Sequence, residues 1–312
     1  MSALNRLGIP IHGTARDVSI SQKQTDEAFG FKWSKRNTYE SEASKANMRR
    51  WLLERYCAND PALISEWLKG ERKIILDAGC GAGFSGLLFF GDALCGHDYL
   101  GVDISNAVDV ARERFREQGM PGEFMRADIS CLEVPDSSID VIFSEGVLHH
   151  TDSTERALKH LAKKLIPGGR FLFYVYRKKS LIREFTDDAI REALRPLSDE
   201  EAWKALEPLT KLGIALGNLQ CEINVESPIP FLGVEAGKLD IQRFFYWNIC
   251  KAYYRPELSF DEMHHINFDW FRPSNCHRHT PEEIQNWCDE ADLAIERIDV
   301  QEAGITVVAK RK

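Results

Sequence analysis

The sequence predicts an α/β protein. Its expected framework is a mostly parallel seven-stranded sheet closed by an antiparallel C-terminal hairpin, with an N-terminal helical cap and a large helical insertion after the fifth strand. Three observations carry that prediction. Five short apolar runs lie between Lys73 and Arg177, and helical segments separate several of them. The alternation then stops for about a hundred helical and irregular residues, 178–278. Finally, one capped helix and two closely spaced strands complete the sequence. Parallel strands need crossover connections, so strands alternating with helices at this spacing favour a parallel sheet covered on both faces.

The elements follow in order. Residues 1–25 are polar and weakly patterned, and are expected to form a loose arm. From Asp26 to Lys69 the pattern is helical: Trp51, Leu52, Tyr56, Leu63, Ile64, Trp67 and Leu68 recur at helical spacing, punctuated by Asn59-Asp60-Pro61. Strands are expected at 73–79 (KIILDAG), 99–105 (YLGVDIS), 122–129 (GEFMRADI), 139–146 (IDVIFSEG) and 170–177 (RFLFYVYR). Helices are expected at 106–117 and 153–165, the second running into the proline-glycine stop IPGG. At 280–293, Thr280 and Glu283 have capping-box spacing and Pro281 takes the first helical position. Strands 294–300 and 304–310 are close enough to pair as a hairpin. These boundaries divide the chain into an arm and cap (1–70), a core (71–177 with 279–312) and an insertion (178–278).

Composition narrows the class. With 44% apolar and 28% charged residues the chain is ordinary globular material. No segment approaches the roughly 18 uninterrupted apolar residues of a membrane span, and the N-terminal stretch lacks a signal peptide's apolar core. A soluble, cytoplasmic protein is expected. The eight cysteines include no C-x-x-C pair and are expected to be reduced and mostly buried. A net charge of −8 opposes non-specific binding to nucleic acid.

The glycine-rich stretch at 77–86, DAGCGAGFSG, is the most informative. Gly81, Gly83 and Gly86 form a literal G-x-G-x-x-G, the pattern of a dinucleotide site. Yet the strand ends at Leu76, which puts the carboxylate of Asp77 at its mouth. Like charges about 4 Å apart cost on the order of 4 kcal/mol at an effective dielectric near 20, so a pyrophosphate fits poorly there. A nucleoside without phosphates, carrying a sulfonium and an amino-acid tail, removes the conflict. Its glycines would then be Gly79, Gly81 and Gly83, which let the backbone approach the ligand closely.

In that register ILDAGCGAGFSG resembles the first motif of the class I S-adenosylmethionine-dependent methyltransferases, a Rossmann-like family. GVDIS, RADI, PDSSIDVIFSEGVLHHTD and LKHLAKKLIPGGRFLF resemble the family's later motifs in order, over roughly residues 72–177. The fourth of these five stretches is similar to the small-molecule branch that includes ubiquinone- and menaquinone-type enzymes. The resemblance implies S-adenosyl-L-methionine as the cofactor. It implies that Asp103 holds the ribose hydroxyls and that Asp128 faces the adenine amino group. Asp77, Gly79, Gly81, Gly83, Ile104, Ile129, Ser144, Glu145 and Trp33 complete the expected cofactor-binding set. It also implies that the insertion 178–278 serves as a substrate lid.

Methyl transfer needs alignment, exclusion of water and often a base. His149 follows the fourth strand, where it would either take a proton from the acceptor or pack its loop. His277 and His279 are further candidate bases. Glu145 is read either as a contact to cofactor or substrate, or as a solvated loop carboxylate. In the cap, Lys32 would hold the methionine carboxylate or an anionic substrate, and Trp33 would cover the sulfonium; the alternative is plain helix packing. Arg243, Tyr246 and Trp247 would line a pocket for a flat or anionic substrate, or simply pack. The histidines and cysteine at 264–265 and 276–279 do not have zinc spacing, so no metal site is expected.

The expected activity is methylation of a small molecule at oxygen, nitrogen or carbon. Its rivals are an RNA or protein methyltransferase and a non-methylating S-adenosylmethionine binder. The sequence sets no oligomeric state. The choice of glycine register is checked by thermal shift. S-adenosylmethionine and its demethylated product should raise the unfolding temperature more than NAD does, and a preference for NAD would reverse the assignment.

Overall fold

A computed structural model describes residues 3–8 and 19–312. In chain order the elements are α1 (Ala3–Leu7), α2 (Ile20–Ser34), α3 (Glu42–Cys57), α4 (Ala62–Trp67), β1 (Ile74–Ala78), α5 (Phe84–Phe90), β2 (Asp98–Asp103), α6 (Ala107–Glu117), β3 (Glu123–Arg126), β4 (Ile139–Glu145), α7 (Thr154–Ala162) and β5 (Leu165–Tyr176). There follow α8 (Leu181–Leu194), α9 (Asp199–Asn218), β6 (Glu222–Val225), β7 (Gly237–Asp240), α10 (Ile241–Asn248) and α11 (Phe260–Phe271). The chain ends with α12 (Pro281–Glu290), β8 (Leu293–Val300) and β9 (Gly304–Arg311). It divides into two compact units: Met1–Ser34 with Lys45–Arg177 and Asn275–Lys312, and Lys35–Ser44 with Lys178–Ser274.

The first unit is built on the seven-stranded sheet, in the order β3-β2-β1-β4-β5-β9-β8. The first five are parallel, and β9 runs antiparallel to both β5 and β8. Strand β1 is buried along its whole length, as its continuous apolar run requires of a central parallel strand. The order reverses between β1 and β4. In open α/β sheets ligands bind at such a switch point, outside the carboxyl ends of the strands. The loops after β1 and β4 therefore frame the candidate site. The capping box at Thr280 and Glu283 is present and starts α12, and the final hairpin forms.

Three expectations are corrected. The stretch 1–25 is not a loose arm where it is described. Leu4 and Leu7, three residues apart on α1, are buried in the main core. The Leu4 N–H donates to Glu123 at 2.8 Å, and Arg6 pairs with Asp98. Helix α2 begins at Ile20, earlier than the apolar pattern suggests; residues 9–18 of the stretch lie outside the described residues. The helix expected at 153–165 stops at Ala162, because Leu165 already pairs with Ile139 in the sheet. Its proline-glycine segment lies inside β5, where the register shifts between Ile139 and Val141 and Gly168 takes a φ of 81°.

The second unit is more regular than its sequence suggests. Helices α8 to α11 make up most of it, and β6 pairs antiparallel with β7. Helices α9 and α11 each start with a capping box, Ser198 with Glu201 and Ser259 with Glu262. Each box satisfies two backbone donors at once and so fixes the helix start.

Gly86 shows how tightly α5 lies on the sheet. A Cβ there would stand 2.4 Å from both Asp77 Oδ2 and the Tyr99 hydroxyl. Gly86→Ala should therefore lose stability by overpacking, about 1–3 kcal/mol, measured by chemical denaturation.

Candidate active site

The loop after β1 owes its shape to three left-handed glycines, Gly79 (φ 87°), Gly81 (φ 50°) and Gly83 (φ 70°). That conformation is strained for other residues. Its backbone donors are satisfied by β2: Gly79 and Cys80 N–H both reach Val102 O, at 2.7 and 2.9 Å, and Gly81 N–H reaches Asp103 Oδ2 at 2.8 Å. The missing Cβ atoms are used as well. Val147, from the loop after β4, occupies the space beside Gly79, and the Trp33 indole that beside Gly81. Phe115 and Ala111 close against Gly83.

Asp77 departs from its expected place. It is not exposed at the strand's mouth but is 2% exposed, inside β1, where it accepts a hydrogen bond from the Tyr99 hydroxyl. Burial raises its pKa from 3.8 to about 7; the charges of Asp103 and Glu145 push the same way, and the Tyr99 hydrogen bond opposes them. Near neutrality the carboxyl is therefore partly protonated. Tyr99, which donates to it, stands 22 residues away in sequence and carries no local signal.

Of the other cofactor candidates in the first unit, Asp103 and Trp33 touch this loop. Asp103 Oδ1 accepts from Ser105 N at 2.9 Å and from Ser105 Oγ at 2.7 Å, in addition to Gly81 on Oδ2. Asp128 lies just beyond β3 and caps the following turn, accepting from Ser130 N at 2.8 Å. The Ile104 carbonyl accepts from Arg126 Nε at 2.7 Å. Two side chains in the expected set turn inward instead. Ile129 belongs to the main core, and Ser144 is fully buried with its hydroxyl donating to Ala78 O at 2.8 Å, which joins β4 to β1. At the end of α2, Trp33 sits on Gly81 and the Lys32 ammonium stands 3.8 Å from the Trp33 ring centroid. Lys32, expected on the substrate side, is thus 6% exposed beside the glycine loop.

Glu145 is neither solvated nor in a loop. It ends β4, paired with Arg55 Nη1 at 2.6 Å and accepting from the Tyr56 hydroxyl at 2.6 Å. Helix α3 brings both partners, which sequence reasoning missed because they lie about ninety residues away. Arg55 also stacks its guanidinium 4.2 Å from the Tyr174 ring.

The three candidate histidines converge, but as a brace. His149 is fully buried, with its ring centroid 3.7 Å from that of Tyr176. His277 N–H donates to His149 O at 2.9 Å, and His277 Nε2 faces Thr151 O at 3.0 Å. His279 N–H donates to Tyr176 O at 2.9 Å, and its Nε2 bonds Thr154 Oγ1 at 2.9 Å. His149 and His279 are both buried. His277 alone of the three is only half-buried.

The substrate candidates Arg243, Tyr246 and Trp247 form their own group in the second unit, on α10. Arg243 donates to Gln242 Oε1 at 2.6 Å and to Tyr254 O at 2.7 Å, with its guanidinium 4.9 Å from the Tyr246 ring. Trp247 meets Tyr246 edge-on. Among the described residues no group of three or more His, Cys, Asp or Glu could hold a metal ion. Among the same residues no helix is long and apolar enough to cross a membrane. All eight cysteines are free, five of them buried.

Comparison with known proteins agrees with this geometry. Residues 76–173 match the family described as a methyltransferase domain. The ubiquinone biosynthesis O-methyltransferase of Coxiella burnetii is 32% identical over 109 residues, 34% of this chain and 44% of that protein. A probable tRNA methyltransferase 9B of Mus musculus is 33% identical over 127 residues, 39% of this chain and 26% of that protein. The chain spans between about a quarter and a half of the length of the curated relatives that it matches first. A solved magnesium protoporphyrin IX methyltransferase from Synechocystis PCC 6803, with bound SAM, superposes with a TM-score of 0.50 at 12% identity, over 96% of this chain and all of that one. The sheet-bearing unit thus carries a methyltransferase domain with the fold of the class I S-adenosylmethionine-dependent methyltransferases.

Asp77 makes a pH prediction. Its folded pKa is raised, so the fold favours the protonated form. That contribution is complete below pH 4 and is lost as pH rises through about 7. Asp77→Asn should match the wild type near pH 4 and be the more stable protein at pH 8, a difference read from unfolding temperatures across that range.

Proposed function

We propose that the protein transfers a methyl group from S-adenosylmethionine to an oxygen, nitrogen or carbon atom of a small-molecule metabolite. One observation carries this reading: the left-handed loop Gly79–Gly83 is flanked by Asp103 and Asp128, and the stretch 77–86 contains no lysine or arginine. A pyrophosphate placed there would meet the carboxylate of Asp103, which accepts from the Gly81 N–H, and no lysine or arginine from the loop itself. A nucleoside without phosphates meets acceptors suited to its hydroxyl and amino groups.

The residues present fit that cofactor. Among the described residues Asp103 Oδ2 takes the Gly81 N–H, which leaves a lone pair for a ribose hydroxyl. Asp128 uses Oδ1 on Ser130 and keeps Oδ2 for an amino group. Trp33, with Lys32 stacked on it, lies against Gly81 of the glycine loop. When bound, S-adenosylmethionine supplies an electrophilic methyl group on its sulfonium. His277 is the base that the geometry favours. Its Nε2 faces the Thr151 carbonyl oxygen and so donates there, which leaves Nδ1 as the nitrogen placed to accept a proton.

Residues 178–278 would select the acceptor, because they lie outside the segment 76–173 that matches a methyltransferase domain. Eight free cysteines suit action in the reducing cytoplasm. The similarity to a probable tRNA methyltransferase favours RNA as a second reading, which the charge of −8 opposes.

The test supplies methyl-labelled S-adenosylmethionine together with a small-metabolite extract, with total RNA, or with metabolite-free protein. Label is expected in the small-molecule fraction. Label in RNA or protein would establish the rival acceptor, and binding without transfer to any fraction would leave a non-methylating binder.

A further inference from the structure

Helix α2 meets the chain at or past the carboxyl ends of β1 to β4, all within the first unit. Just before the helix, the Ser19 hydroxyl donates to Asp152, past β4, at 2.7 Å. Asp26 Oδ2 accepts from Arg126 Nη2, at the end of β3, at 2.9 Å. One turn on, Gly30 lies against Asn106, past β2: a Cβ there would stand 2.6 Å from Asn106 Oδ1. At the end of the helix the Trp33 indole fills the space beside Gly81, past β1. Asp26, Gly30 and Trp33 stand four and three residues apart, so one face of α2 makes these three contacts.

Arg126 grips two of these segments at once. Its Nη2 donates to Asp26 on α2, and its Nε donates to the Ile104 carbonyl, in the turn after β2, at 2.7 Å. An exposed ion pair by itself contributes little. This one differs in two ways. The Asp26 side chain is only 16% exposed, and the planar guanidinium fixes both bonds in one rigid fork. Burial raises the pKa of Asp26, the Arg126 guanidinium opposes that rise, and the charges of Asp103 and Glu27 add to it. Without the guanidinium, Asp26 keeps its burial and the repulsion of Asp103 and loses the cation that opposes both.

We infer that Arg126 is a positioning residue for the cofactor: by gripping Asp26 and the Ile104 carbonyl together, it holds α2 against the turn whose Asp103 receives the nucleoside. The inference rests on the proposed function for its ligand. Arg126 itself need touch no ligand atom. It sets the spacing between α2 and the turn after β2, and Ser105 in that turn donates to Asp103 from both its backbone and its hydroxyl. Walls held in place before binding do not have to be ordered by the ligand, and affinity rises accordingly.

The test uses the full chain and S-adenosylhomocysteine, the demethylated product, which binds without reacting. By calorimetry Arg126→Gln should bind it at least about fivefold more weakly than the wild type, the effect of a charge-assisted hydrogen bond discounted for the exposure of Arg126. Asp26→Asn should weaken binding in the same direction. The double variant should bind no more weakly than Arg126→Gln alone, because the two residues act as one pair. A second readout needs no ligand. In the cofactor-free protein, hydrogen exchange should quicken at the amides of α2 in Arg126→Gln and stay unchanged in β1 and β4. Unaltered affinity in Arg126→Gln, losses that add in the double variant, or exchange that quickens throughout the sheet would each overturn the inference. If the wild type does not bind S-adenosylhomocysteine, the cofactor reading falls and this positioning role with it. If the wild type binds it and Arg126→Gln binds equally, the positioning role alone falls.

Discussion

The carboxylate of Asp103 holds the first unit's candidate site in shape. A buried backbone donor must find a partner, and the left-handed path of Gly79–Gly83 turns the Gly81 N–H away from any strand ladder. Asp103 meets it from the end of β2 and is itself held by Ser105. The loop's form is thereby tied to a neighbouring strand rather than left to its own flexibility. Once it is fixed, the vacancies at its glycines become docking points: Val147 enters at Gly79 and Trp33 at Gly81. The loops after β1 and β4 and the end of α2 thus meet around side-chain atoms that are missing by design of the sequence.

Charge is handled differently in the two units. Around the glycine loop, negative charge is moderated from within. Asp77 is buried until it holds its proton near neutrality, and Glu145 is shared between Arg55 and Tyr56. Around Trp270, Arg183, Arg191 and Lys251 gather instead, and Asp187 takes three donors, from Arg183, Trp270 and the Lys251 backbone. An uncharged hydrogen bond would give less orientation there, since bonds to an ionised carboxylate are the stronger ones.

Much of the fold was legible in the sequence. The five parallel strands, the Thr280 capping box and the closing hairpin depend on periodicity and spacing within a few residues. The misses share one cause. Helix α1 is too short for a periodic signal, and it is held by Glu123 and Asp98, about a hundred residues on. The end of α7 was misplaced because Leu165 answers to Ile139 in the sheet, not to the helix before it. The pairing of β6 with β7 joins two four-residue strands: β6 alternates polar and apolar residues over too short a run to mark a strand, and β7 does not alternate.

For the site, the sequence by itself determined which residue types occupy the ends of β1, β2 and β3, and it put glycine where only glycine tolerates the backbone. Those are local requirements, written in neighbouring letters. The tertiary structure alone decided what each group can do. It gave Asp77 to Tyr99, Glu145 to Arg55 and Tyr56, and His149 to a stack on Tyr176. Protonation and access follow from desolvation and from partners tens of residues away, and neither quantity exists until the chain has folded.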